Sequence, residues 1–182
     1  MKEKIFAVPQ YTTAEEIKEV RKQLGLKQKA FAGLVNASVP TVERWERSSD
    51  PIRGPIVTLL DMLRKNKSYV EAISLPPRKT PLRFFYMYRQ RLCTLIDVNE
   101  LKQEVYIKNY TDEIMYRAFG VNEKPSYKDY QEFLESRCFP ESRDKMKLIL
   151  RDMNLPFYDP FLIIQKTEGR MAEDDFWLRI EQ

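Results

Sequence analysis

The sequence predicts an α+β chain in two parts. Residues 1–75 form an all-helical domain of about five helices, and residues 76–182 form a second domain in which a short antiparallel meander is followed by helices. Three observations lead there. Apolar residues recur at helical spacing between Ile17 and Ile73. The segment SLPPRKTP, 74–81, has three prolines and two basic residues in eight and reads as a semi-rigid spacer. Beyond it, apolar runs of strand length alternate with polar turns before the helical period returns.

The first helix lies in TTAEEIKEVRKQLG. Thr13 with Glu16 three residues on is a capping-box pattern, Ile17, Val20 and Leu24 share a face, and Gly25 falls where a left-handed cap ends a helix. Gln28 opens a second helix that runs to Leu34, with Phe31, Ala32 and Val35 on one side. Asn36 follows where the chain must turn sharply, and asparagine tolerates the left-handed conformation better than most residues. Ser38 is placed to cap a third helix with Pro40 and Thr41 in its first turn. Val42 and Trp45 are expected to face inward, and Val39, Pro40, Glu43, Arg44 and Arg47 outward. After the turn SSDPIRGP, Pro55 opens a helix with Ile56, Leu59, Leu60 and Leu63 in a stripe. Its excess apolar surface, with Tyr69, Val70 and Ile73, is a candidate dimer seam.

In the second part, runs at 82–88, 92–97 and 104–109 predict three strands in a meander. PSYKDYQEFLESR and PESRDKMKLILRDMNL then read as helices, the second with Met146, Ile149, Leu150 and Met153 in a stripe. Arg143, Lys147 and Arg151 make a basic row, but Asp144 and Asp152 interrupt it and a solvated face explains it best. Asp159 and Pro160 open a helix closed by Gly169, and Phe176 and Trp177 are expected to anchor the end of the sequence. The adjacent Glu173, Asp174 and Asp175 read as a helix-start charge preference rather than a metal site, because consecutive acids diverge on any regular element.

Composition narrows the function. Histidine is absent, which removes the usual general base, the usual nucleophilic triads and most zinc sites. With no glycine-rich phosphate loop or paired metal-ligand motif, the expectation is a non-enzyme with no cofactor and no metal. The two cysteines, Cys93 and Cys138, make no disulfide framework. No stretch approaches the roughly 18 apolar residues of a membrane helix, and MKEKIFAVPQ has no apolar core of a signal peptide. A cytoplasmic protein without membrane contact is therefore expected. The net charge of +4 is unevenly placed: residues 1–75 carry 13 Lys plus Arg against 9 Asp plus Glu, and residues 76–182 carry 18 against 18. The excess lies with the two-helix corner, and a corner of that kind with an exposed second helix fits the DNA major groove.

Gln28, Ala32, Ser38, Thr41, Val42, Arg44, Trp45 and Glu46 together meet the pattern of a known family. Residues 12–75 resemble the Cro and lambda-repressor type of helix-turn-helix, also called the xenobiotic-response-element family. The tail DPIRGPIVTLLDMLRKNKSYVEAI looks like that of bacterial antitoxins of the HigA and MqsA kind. The resemblance implies that Gln28 grips a phosphate, that Asn36 and Thr41 lie near the same backbone, and that Val39, Pro40, Glu43 and Arg44 face base edges. It also implies a structural ion pair between Arg21 and Glu46. Val39 and Pro40 can touch a thymine methyl but make no bidentate hydrogen bond, so Arg44 is the main candidate for reading guanine. Residues 133–182, with Arg137, Pro140 and Arg143 at a corner before the aromatic pair, resemble uncharacterised bacterial proteins of mobile elements, and no activity follows from that.

The expected function is a dimeric, sequence-specific transcriptional regulator of double-stranded operator DNA, in its most concrete form an autorepressing antitoxin or mobile-element regulator. The site residues are Gln28, Asn36, Ser38, Val39, Pro40, Thr41, Glu43, Arg44 and Arg47. The alternative makes the second domain the active part, a protein inhibitor or adaptor of a toxin, kinase or host-defence enzyme, with the helical domain only regulating its own expression.

Overall fold

The computed structural model describes residues 6–182 apart from the Lys67 side chain; residues 1–5, part of the stretch read for a signal peptide, lie outside the described residues. The chain divides into two compact units, Met1–Leu75 and Pro76–Gln182. Among the described residues, no helix is long and apolar enough to cross a membrane.

The first unit contains α1 (Ala14–Gln23), α2 (Gln28–Leu34), α3 (Val39–Arg47), α4 (Pro55–Lys65) and α5 (Lys67–Ile73). The Thr13 hydroxyl accepts the Glu16 N–H at 3.3 Å while the Glu16 carboxylate accepts the Thr13 N–H at 3.1 Å, so two helix-end donors are met reciprocally. Gly25, with φ +67°, lets the Leu26 N–H reach back to the Arg21 carbonyl at 3.1 Å and closes α1. A two-way bridge between Thr12 and Ile52 ties the approach to α1 to the segment before α4. Ile17, Val20, Phe31, Val42, Ile56, Leu60 and Leu63 are buried together in the core. Val57 is buried as well, whereas Leu59 is only half-buried. Val70, expected in a dimer seam, is buried in the unit's own core, because α5 turns it onto the helical cluster; Tyr69 and Ile73 stay exposed.

The second unit has β1 (Leu82–Tyr88), β2 (Arg91–Asn99), β3 (Glu104–Asn109), a single 3₁₀ turn at Ile114–Tyr116, α6 (Tyr127–Ser136), α7 (Met146–Asp152), α8 (Pro160–Thr167) and β4 (Phe176–Glu181). The sheet is antiparallel in the order β3-β2-β1-β4. The expected arrangement, a meander followed only by helices, is therefore incomplete: the chain returns as β4 and pairs with β1 from Arg83–Glu181 to Tyr88–Phe176. On one face Phe84, Tyr86, Ile96, Val98 and Leu178 pack with Tyr130, Phe133 and Leu134 of α6 and with Ile163 and Ile164 of α8. Phe176 stacks flat on Tyr86 with centroids 4.9 Å apart. The α7 stripe of Met146, Ile149 and Leu150 is only half-buried.

The acids before β4 do not open a helix. Asp174 accepts from both terminal nitrogens of Arg137 at 2.7 and 3.0 Å, and Asp175 accepts from Arg89 at 2.8 Å. Arg137 is buried and also donates to the carbonyls of Gly169 and Phe176, which supplies the acceptors that a buried guanidinium requires. That arginine fixes the turn from which β4 starts. The opposite face of the sheet carries a buried ion pair, Arg83 to Asp97 at 2.6 and 2.7 Å. Of the expected spacer, 74–81, residues 76–81 are bound to this face: the Pro76 carbonyl accepts from Arg83 at 3.0 Å, and Thr80 is buried with its hydroxyl on the Leu82 carbonyl at 3.0 Å.

Candidate nucleic-acid interface

The corner between α2 and α3 begins with Asn36 at φ +52°. Its N–H donates to the Gly33 carbonyl at 3.3 Å and the Ala37 N–H to the Ala32 carbonyl at 2.9 Å, a paired closure that needs a left-handed residue at this position. Two residues later the Ser38 hydroxyl accepts the Thr41 N–H at 3.2 Å and lies 2.8 Å from the Thr41 hydroxyl. Both devices are local in sequence and together fix where α3 starts and in which direction it runs. Pro40 sits in the first turn, where a missing N–H costs nothing.

From there the helical period sorts the side chains. Val42 and Glu46 are buried, while Pro40, Arg44 and Arg47 are exposed with Ser38 and Asn36 beside them. Thr41 is half-buried. Val39 departs from the expected outward direction: it is half-buried against the helical core, because it stands three residues before Val42 and shares its face. Glu43 is also only partly exposed, and its carboxylate lies 3.8 Å from the Arg47 guanidinium one turn on.

Beneath this surface lies a polar link. Arg21 of α1 donates to both oxygens of Glu46, at 2.6 Å through Nε and 3.1 Å through Nη2, and also to the Leu26 carbonyl at 3.0 Å. The Gln28 amide donates to Glu46 at 2.9 Å. One carboxylate of α3 thus holds the C-terminal end of α1 and the first residue of α2. Burial pushes the Glu46 carboxyl up, but the hydrogen bonds from Arg21 and Gln28 outweigh it and hold the group below the ordinary range, so it stays ionised. The Gln28 contact was not foreseen from sequence. Its partner is 18 positions away, and no local pattern connects a helix-opening glutamine to a buried glutamate.

The nine residues assigned from sequence fall in two groups. Asn36, Ser38, Pro40, Arg44 and Arg47 are exposed on the corner and the open side of α3; Gln28, Val39, Thr41 and Glu43 are half-buried, Gln28 bonded to Glu46, Val39 in core packing, Thr41 in the Ser38 cap and Glu43 beside Arg47. Among the described residues, no group of three or more His, Cys, Asp or Glu side chains is placed to hold a metal ion. In comparison with known proteins, no family model and no curated protein matches this chain.

Proposed function

We propose that the chain is a sequence-specific DNA-binding regulator of the helix-turn-helix kind that lays α3 in the major groove. It works in the cytoplasm as a homodimer on a paired operator and acts as an autorepressor of an antitoxin or mobile-element locus. The observation that supports this best is Arg44, an exposed cation on a helix whose start is set by the Asn36 corner and the Ser38 cap and whose inner face is tied down through Glu46. A helix is the element that the major groove admits, and an arginine that reaches a guanine edge makes the commonest base-specific contact. Pre-set helix direction matters because a side chain reads a base only within hydrogen-bond distance. The roles then divide. Arg44 reads a base and Pro40 touches an apolar edge. Gln28, Asn36, Ser38, Thr41 and Arg47 meet the phosphate backbone, which positions the helix without reading sequence. The excess of basic residues in 1–75 supplies general attraction.

The test is a binding titration of Arg44→Ala and Gln28→Ala on the region upstream of the gene and on its single-base variants, at fixed salt, with thermal melts of both proteins alongside. Arg44→Ala is expected to lose roughly 1 to 3 kcal/mol of specific affinity and to relax preference at one base pair per half-site. Gln28→Ala is expected to weaken all sequences about equally. Wild-type base preferences in Arg44→Ala, with the fold intact, count against the assignment.

A further inference from the structure

We infer that a cleft on the outer face of the sheet, between residues 76–80 and strands β2 and β3, binds a small organic anion with a flat apolar body. The cleft has a volume of about 410 Å³, within the size range of small-molecule sites. One wall is Pro76 and Pro77, and Leu95 and Tyr106 supply apolar and aromatic surface. Leu95 is buried, but Tyr106 is 56% exposed, opposite Asp97 of the neighbouring strand, which is in the ion pair with Arg83. Prolines and an open tyrosine ring offer a rigid slot for a planar group, since such groups stack on aromatic faces at little entropic cost.

The charge around this slot selects the ligand's sign. Lys79, Lys102 and Lys108 line it against two carboxylates, Asp97 and Glu104. Asp97 has both oxygens bonded to Arg83, so its charge is already compensated, and Lys79 and Lys102 by themselves outnumber Glu104. The local potential is positive although the unit as a whole, with 18 basic and 18 acidic residues, is neutral. A neutral planar compound leaves this potential unused, and a bare anion leaves the apolar slot unfilled.

The experiment follows amide shifts of the isotope-labelled full chain while salicylate, salicyl alcohol or inorganic phosphate is added at constant ionic strength. Salicylate is expected to give saturable shifts at Thr80 and at residues 102–108, with salicyl alcohol and phosphate each at least about tenfold weaker. In a Lys79→Gln, Lys102→Gln double variant with an unchanged melting temperature, salicylate affinity is expected to fall about tenfold. Equal response to the alcohol removes the charge recognition, and equal response to phosphate removes the planar slot. Either result overturns the proposal, as do the absence of saturable shifts at these residues and full affinity in the double variant.

Discussion

Glu46 is 4% exposed and charged, which a protein tolerates only when the charge is met. Arg21 and Gln28 meet it, so Glu46→Ala leaves the Arg21 guanidinium without its carboxylate and the Gln28 amide without an acceptor. A loss of about 3 to 5 kcal/mol is expected for removing one side of a buried pair. Arg47→Ala, on a side chain 80% exposed, is expected to change stability by no more than about 0.5 kcal/mol. Trp45 fluorescence during urea unfolding, in a Trp177→Phe background, separates the two, and equal midpoints refute the role of the pair. The same carboxylate gives the helical unit a pH dependence. Its folded pKa lies below the ordinary value, so its stabilisation is complete above that ordinary value, about 4, and is lost as pH falls through the depressed one. Glu46→Gln removes this linkage, and its Trp45-detected stability is expected to fall less steeply below about pH 4 than that of the parent.

At the level of elements, what the sequence reveals depends on how far apart the partners lie. Thr13 with Glu16, Gly25, Asn36 with Ser38, and Asp159 are caps whose partners sit within a few residues, and each is where local chemistry puts it. Strand β4 is different. Its alternation of Phe176, Leu178 and Ile180 with Trp177, Arg179 and Glu181 spans only six residues, and what turns it into a strand is β1, about ninety positions earlier. Two of the acids before it likewise take their roles from distant arginines, Asp174 from Arg137, 37 positions away, and Asp175 from Arg89, 86 positions away, so a local reading assigns them to a helix start that does not exist. Among the site residues the exposed Arg44 was legible from helical period, but the withdrawal of Val39 and the Gln28 link depend on packing between helices. Gly169 shows how closely the β4 turn is built. At φ +59°, an added Cβ lies 3.1 Å from the Leu178 side chain and 3.4 Å from the Arg137 Cβ, whereas one at Gly25, φ +67°, meets nothing within 4 Å. Gly25→Ala is expected to cost only the left-handed strain, about 1 kcal/mol, and Gly169→Ala to add roughly 1 to 3 kcal/mol of crowding. Urea midpoints followed through Trp45 in a Trp177→Phe background for Gly25→Ala, and through Trp177 in a Trp45→Phe background for Gly169→Ala, measure the two separately, and equal losses show that the turn has room.

For the whole molecule, the division falls between Leu75 and Pro76 rather than after the prolines, and the reason is chemical. The Arg83 side chain is 5% exposed and has Asp97 for two of its hydrogen bonds, but a further N–H depends on the Pro76 carbonyl. Arg78 folds back on the carbonyls of Thr80 and Pro81, and its guanidinium lies 3.9 Å from Glu181 at the end of β4. Residues 76–81 are therefore a lid over a buried charge on the sheet, although their composition is that of a linker. Proline content reports that the chain is stiff there, not whether a surface waits to receive it. Two fragments test this. The piece 76–182 keeps every acceptor of Arg83 and is expected to melt cooperatively by circular dichroism. The piece 82–182 keeps all four strands but leaves Arg83 one acceptor short and uncovers the face around it, at a cost of about 1 to 3 kcal/mol. For a domain of this size each kcal/mol moves the melting temperature by about 4 to 8 °C, so the shorter piece is expected to melt at least about 4 °C lower. Identical melting curves for the two pieces place the boundary after Pro81 and reduce the Pro76 contact to an incidental one.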